Sequence, residues 1–206
     1  MSIRENYLEI CQNIADAAKQ AGRRAEDITL VAVSKFVDEE RIRLAHEAGA
    51  NVFGESRAQE LGEKMPMFEE LGADVHFIGQ LQTNKVKQVV GKVDLIQSVD
   101  SLRLLEAIDR EAERQGLTQA VLLEVNIGGE ASKRGFAKEE ILPAVEKMAN
   151  FAHIFVRGLM TVPPICQEVA ESQEFFSEIS ALWSLPRSRL RPRLHNQHIP
   201  RRNRAG

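Results

Sequence analysis

Lys35 closes a run of eight residues, Ile28-Thr-Leu-Val-Ala-Val-Ser-Lys35, in which five side chains are Ile, Leu, Val or Ala. A near-continuous apolar run of that length suits a strand buried on both faces in a parallel sheet. A lysine at the carboxyl end of such a strand sits at the mouth of a core, where partial desolvation favours the neutral amine that attacks an aldehyde. The plainer alternative is that Lys35 marks where the strand meets water, and one lysine in a short motif does not decide between the two. The decision rests on the elements that place this strand end.

Those elements alternate. Ser2 and Glu5 have capping-box spacing, and Ile3, Tyr7, Ile10, Ile14 and Ala21 recur at helical intervals until Gly22, so a leading helix is predicted over 2–21. After the lysine strand, Asp38 caps a helix that stops at Gly49. Strands are then predicted over 51–55, 75–79, 93–99, 120–127 and 155–162, with helices over 57–70, 84–90, 101–115, 138–149 and 167–182 between and after them. Six strand-then-helix units specify a parallel sheet, either doubly wound or closed as a (β/α) barrel of the TIM type. No Gly-x-Gly-x-x-Gly turn follows the first strand, which favours the barrel, and in a barrel the chemistry sits at the carboxyl ends of the strands.

Polar residues collect at those ends: Ser34 and Lys35; Gly54, Glu55 and Ser56; His76 through Gln80; Glu124, Val125 and Asn126; and Arg157 through Val162 ahead of Pro163 and Pro164. Barrel rims are solvated in any case, so the pattern is necessary for a site and is not sufficient.

Composition sets the outer limits. The chain has 206 residues, 43% hydrophobic and 28% charged, which fits one soluble domain with a sizeable core. Cys11 and Cys166 are too few and too far apart for a disulfide framework or a zinc site, and His46, His195 and His198 lack a ligand context, so no metal is assigned. The N-terminus carries no signal-peptide core and no run approaches a membrane span, so a cytoplasmic protein without a membrane partner is expected. The net charge of −3 is unevenly spread. Residues 183–206 hold seven arginines and no acid, leaving 20 basic against 30 acidic side chains in residues 1–182, a net −10. Nucleic acid is therefore expected to bind only through the tail, and without sequence preference.

Five segments carry a resemblance. Ala32-Val-Ser-Lys35, Phe53-Gly-Glu-Ser-Arg-Ala-Gln-Glu60, His76-Phe-Ile-Gly-Gln-Leu-Gln-Thr-Asn-Lys85, Asn126-Ile-Gly-Gly-Glu-Ala-Ser-Lys-Arg-Gly135 and Arg157-Gly-Leu-Met-Thr-Val-Pro163 resemble, in order and spacing, the pyridoxal phosphate homeostasis family. The resemblance covers residues 1–182 and implies a barrel related to the N-terminal domain of alanine racemase. It further implies that Lys35 holds pyridoxal 5′-phosphate as a Schiff base and that Glu55, His76, Asn126, Lys133 and Met160 line the cofactor. It implies a monomer that binds pyridoxal phosphate and related B6 vitamers in intracellular homeostasis, without established catalysis. Ser56 stands where the family usually has Asn, a mild departure.

The larger departure is at the C-terminus. The family's last two β/α units, with its Ser-Met-Gly-Met-Ser and Arg-Ile-Gly stretches, have no counterpart here, and the Arg- and Pro-rich residues 183–206 resemble an out-of-frame end more than an evolved basic arm. Loops after strands seven and eight ordinarily hold the phosphate of a barrel ligand, so weakened cofactor binding is expected, and unpaired strand edges predict low stability or self-association. Two rival functions remain at this stage: a racemase-like enzyme, for which the chain offers Tyr7 as its only tyrosine, and an impaired remnant or RNA-binding protein acting through the tail.

Overall fold

The computed structural model describes residues 2–130, 133–148, 150–166 and 168–194. The chain divides into two units, Met1–Ile78 and Gly79–Gly206.

In the first unit, helix α1 (Ile3–Gln20) begins with a complete capping box. The Glu5 N–H donates to Ser2 Oγ at 3.2 Å and the Ser2 N–H donates to Glu5 Oε2 at 2.7 Å. Strand β1 (Ala32–Val33), helix α2 (Glu39–Glu47), strand β2 (Val52–Glu55), helix α3 (Ala58–Leu71) and strand β3 (Asp74–Phe77) follow. The three strands are parallel and lie in chain order, with Ala32 opposite Phe53 and Gly54 opposite His76. Ile42, Leu61 and Phe68 from the helices close over Phe53, Val75 and Phe77, all essentially inaccessible, and the Phe53 and Phe68 rings lie 5.4 Å apart. Asp38 caps α2 as its sequence position predicts, its carboxylate accepting from the Arg41 N–H at 2.9 Å.

Strand β1 differs from expectation. It spans two residues instead of eight, and Val33 is 51% exposed, so the strand is not buried on both faces. Its ladder within the unit runs to β2 alone, and β2 starts only at Val52. The apolar run from Ile28 therefore outlasts its hydrogen-bonding partner.

In the second unit, a 3₁₀ segment (Thr83–Gln88) stands where an α-helix is predicted, with Gly91 at φ +76° soon after it. Strand β4 (Leu95–Val99), helix α4 (Leu102–Gln115), strand β5 (Gln119–Glu124), helix α5 (Ile141–Met148), strand β6 (Ile154–Met160) and helix α6 (Val169–Leu194) follow. Strands β4, β5 and β6 are again parallel and in chain order, with register shifts at Ile96/Val99 and Val121/Leu122. Ser101 caps α4 and Gly116 ends it in the left-handed conformation.

Helix α6 passes its predicted end at residue 182 and runs through Pro186 and Pro192 to Leu194. The intervening Leu and Arg residues favour helix, which works against the loss of backbone donors at the prolines. Residues 195–206, with His195, His198, Arg201, Arg202 and Arg204, lie outside the described residues. No helix of the described residues is long and apolar enough to cross a membrane. In each unit the parallel order brings the carboxyl ends of its strands to one side, and this gathers that unit's strand-end polar residues together.

Candidate functional site at the strand ends

In the first unit, Lys35 leaves β1 exposed to solvent. The turn that carries it is closed by the Val37 N–H donating to the Ser34 carbonyl at 3.0 Å. Phe36, the next residue, has φ +60°, the single non-glycine with positive φ among the described residues. For an L-residue with a large side chain this conformation is unfavourable and persists only where the surroundings enforce it.

The surroundings do so through a buried polar cluster. Lys64, on α3, is 10% exposed at its side chain, and its Nζ donates to the Ser34 carbonyl at 2.7 Å, to Glu55 Oε1 at 3.1 Å and to Glu60 Oε1 at 2.7 Å. Glu60 Oε1 also accepts the Phe36 N–H at 2.6 Å. Ser34, itself buried, donates its hydroxyl to Glu55 Oε1 at 2.7 Å. Glu55 is fully buried, and its Oε2 has no hydrogen-bond partner. Burial works against the Glu60 carboxylate, yet the bonds from Lys64 and from the Phe36 amide outweigh it and hold its carboxyl below the usual range. The Arg57 guanidinium sits 4.4 Å from the centre of the Phe36 ring. Glu55 thus lies beneath the turn that bears Lys35, as part of its support. His76 lies half-buried in β3, beside Gly54 of the β2 end. A Cβ on Gly54 would come within 2.9 Å of Ile78 Cδ1 and 3.1 Å of Val31 Cγ1, so the Phe-Gly-Glu glycine serves packing.

In the second unit, Asn126 organises the segment after β5. Its Nδ2 donates to the Glu130 carbonyl at 2.8 Å and to the Lys133 carbonyl at 3.3 Å, while its Oδ1 accepts the Glu130 N–H at 3.2 Å. Backbone bonds from the Phe136 N–H to the Glu124 carbonyl at 2.8 Å and from the Asn126 N–H to the Phe136 carbonyl at 3.0 Å return the segment to the strand end. Lys133 is paired with Glu130 at 2.5 Å and reaches the Val162 carbonyl at 3.4 Å. Met160 ends β6, where its carbonyl accepts the Val125 N–H at 2.8 Å and Thr161 Oγ1 donates to the Val125 carbonyl at 2.9 Å.

Glu124 is the residue of this end with a displaced titration. Burial pushes its carboxyl above the ordinary range, Asp100 adds to the rise and Arg134 opposes it. Arg134 lies 3.6 Å from Asp100, and the Gln80 side-chain oxygen, in the amide orientation that satisfies the network, accepts from Arg134 Nη1 at 2.7 Å.

The structure therefore brings Glu55 beneath Lys35, and Asn126 and Lys133 into one loop near the end of β6. Lys64, Glu60 and Arg134 were not among the sequence-derived site residues, and Gln80 entered only as the last polar residue of the third strand end. Glu60 and Lys64 stand four apart on a predicted helix and directly follow the Phe-Gly-Glu segment, a spacing that marks an ion pair.

Comparison with known proteins places the chain. Residues 9–195 match the family described as alanine racemase, N-terminal domain. The pyridoxal phosphate homeostasis protein of Aquifex aeolicus is 36% identical over 182 residues, covering 88% of this chain and 80% of that protein. The chain belongs to the pyridoxal phosphate homeostasis family, within the alanine racemase N-terminal domain fold. Among solved structures of similar fold, an unknown protein from Bifidobacterium adolescentis superposes with a TM-score of 0.82 at 34% identity, covering 87% of this chain and 77% of that one. PipY of Synechococcus elongatus PCC7942, solved with PLP bound, has a TM-score of 0.73 at 28% identity and covers 85% of this chain and 82% of its own. The barrel-type α/β fold expected from strand alternation is thus the fold of the family, with six of its strands in the described residues.

Proposed function

We propose that the protein binds pyridoxal 5′-phosphate, holds it covalently through Lys35 and serves intracellular vitamin B6 homeostasis as a carrier. The observation that carries this reading is the presentation of Lys35: an exposed amine at a strand end, on a turn whose backbone is fixed from below by Lys64, Glu55 and Glu60. A solvent-reached primary amine on a backbone held in place is what an aldehyde ligand requires, so Lys35 fits the aldehyde end of the group. When bound, the cofactor supplies an aldehyde carbon to which an amine adds with loss of water. The chain's own part is to present the amine and keep its backbone in place. Relatives named for pyridoxal phosphate homeostasis, and PipY with PLP bound, support the same ligand.

Replacing Lys35 by Ala is expected to abolish the visible absorbance that pyridoxal phosphate acquires on binding. Borohydride fixation followed by peptide mass mapping is expected to mark Lys35, and a mark on another lysine would overturn the assignment.

Racemase chemistry needs a second acid or base facing the cofactor. The chain's only tyrosine, Tyr7, has its Cε1 against Gly49, just ahead of β2, whereas Lys35 follows β1. Because β1 and β2 are parallel, those are opposite ends of the strands. The loaded protein is expected to leave L-alanine unracemised, as chiral chromatography of a long incubation would show, and formation of D-alanine would favour an enzyme.

A further inference from the structure

We propose that Lys64 is a positioning residue for Lys35, acting through a clamp on the two peptide groups that flank it; the inference rests on Lys35 being the cofactor amine.

The clamp is unusual in what it grips. Lys64 Nζ bonds the Ser34 carbonyl, which belongs to the peptide immediately before Lys35. Through Glu60 Oε1, which it also bonds, it holds the Phe36 N–H, which belongs to the peptide immediately after. One buried ammonium therefore fixes the backbone on both sides of Lys35, while the Lys35 side chain itself stays in solvent. Glu55, fully buried, supplies the third acceptor and sits on the strand that pairs with β1. Phe36 at φ +60° is the strained element of the turn, and without the clamp it would relax toward negative φ and rotate the following and preceding peptides. That rotation would swing Lys35 away from a bound aldehyde. A lysine that merely neutralised the buried Glu55 and the partly exposed Glu60 would need neither the carbonyl of Ser34 nor a carboxylate shared with the Phe36 amide.

The strain supplies the test, because glycine adopts positive φ without cost and should make the clamp partly redundant. Pyridoxal phosphate is titrated into cofactor-free protein, followed by absorbance, for wild type, Lys64→Met, Glu60→Ala, and each of these combined with Phe36→Gly. The clamp predicts that Lys64→Met weakens binding about tenfold, the factor equivalent to ~1.4 kcal/mol, and that Phe36→Gly in the same chain restores most of the loss. Normal binding by folded Lys64→Met, or a folded double variant with no recovery, overturns the proposal. Should Lys64→Met fail to fold by circular dichroism, the Glu60→Ala pair carries the same comparison, since Glu60 lies nearer the surface. Amide exchange at Phe36 in the cofactor-free protein provides a readout independent of the ligand: exchange at least tenfold faster in Glu60→Ala is expected, and unchanged exchange sinks the clamp. Loss of the role assigned to Lys35 would register separately, as absorbance persisting in Lys35→Ala.

Discussion

At the carboxyl end of β5, Glu124 is half-buried with Asp100 nearby, and both circumstances raise the free energy of its charged form. Its folded-state carboxyl thus binds a proton more tightly than an unfolded one. Such a group favours the folded state at pH below the ordinary carboxyl value and loses that contribution as pH rises through the raised one. Glu124→Gln removes the charge, and is expected to stabilise the protein at pH 7 while leaving it nearly unchanged at about pH 4, where the carboxyl is largely neutral in either state. Urea unfolding at the two pH values checks this; an equal effect at both would mean the raised titration does not reside at Glu124. The contrast with Lys35 marks the limit of reading residues from sequence. The motif around Lys35 singled it out as the proposed cofactor amine, but Lys64 and the neutral tendency of Glu124 depend on which neighbours fold against them. The expectation that Lys35 is half-desolvated failed for the same reason, since β1 leaves it exposed.

Elements were legible where their ends are encoded locally. Ser2, Asp38 and Ser101 cap helices through their side chains, and Gly72 and Gly116 end them in the left-handed conformation that a residue without Cβ adopts freely, each effect lying within one turn. Strand lengths were less legible, because a ladder depends on pairing with a neighbour and not on the local apolar pattern alone, and β1 keeps two residues of its apolar run although β2 continues to Glu55. Two glycines separate local from non-local demands. Gly116 has φ +65° with open space where a Cβ would stand, so Gly116→Ala is expected to cost about 1 kcal/mol, for the backbone conformation alone. Gly135 has φ +111°, and a Cβ there would lie 2.8 Å from both the Asn126 nitrogen and the Glu124 carbonyl oxygen. Gly135→Ala is therefore expected to add an overpacking cost and exceed the Gly116 loss by about 1–3 kcal/mol. Chemical denaturation of the two variants side by side decides the matter, and equal losses would mean the segment after β5 yields to the methyl group without strain.

Across the whole molecule the fold class follows from six alternations of strand and helix, a pattern too long to arise by chance in one chain, whereas charge placement had to be read by composition. Residues 1–182 carry a net −10 and residues 183–206 carry seven arginines with no acid. Helix α6 reaches Leu194, so Arg187, Arg189, Arg191 and Arg193 ride on helical backbone, while Arg201, Arg202 and Arg204 follow beyond the described residues. An acidic body repels phosphate backbones, and an arginine run attracts them in proportion to the counterions it displaces. Retention on a single-stranded oligonucleotide is expected to fall with salt on a slope of about −0.7 per arginine engaged. Replacing Arg201, Arg202 and Arg204 by Gln should flatten that slope by about 2, and replacing all seven should remove retention. Binding that survives the seven-fold replacement would place a basic face on the acidic body, and nucleic acid would then have to be considered at the strand ends as well as along the terminal segment.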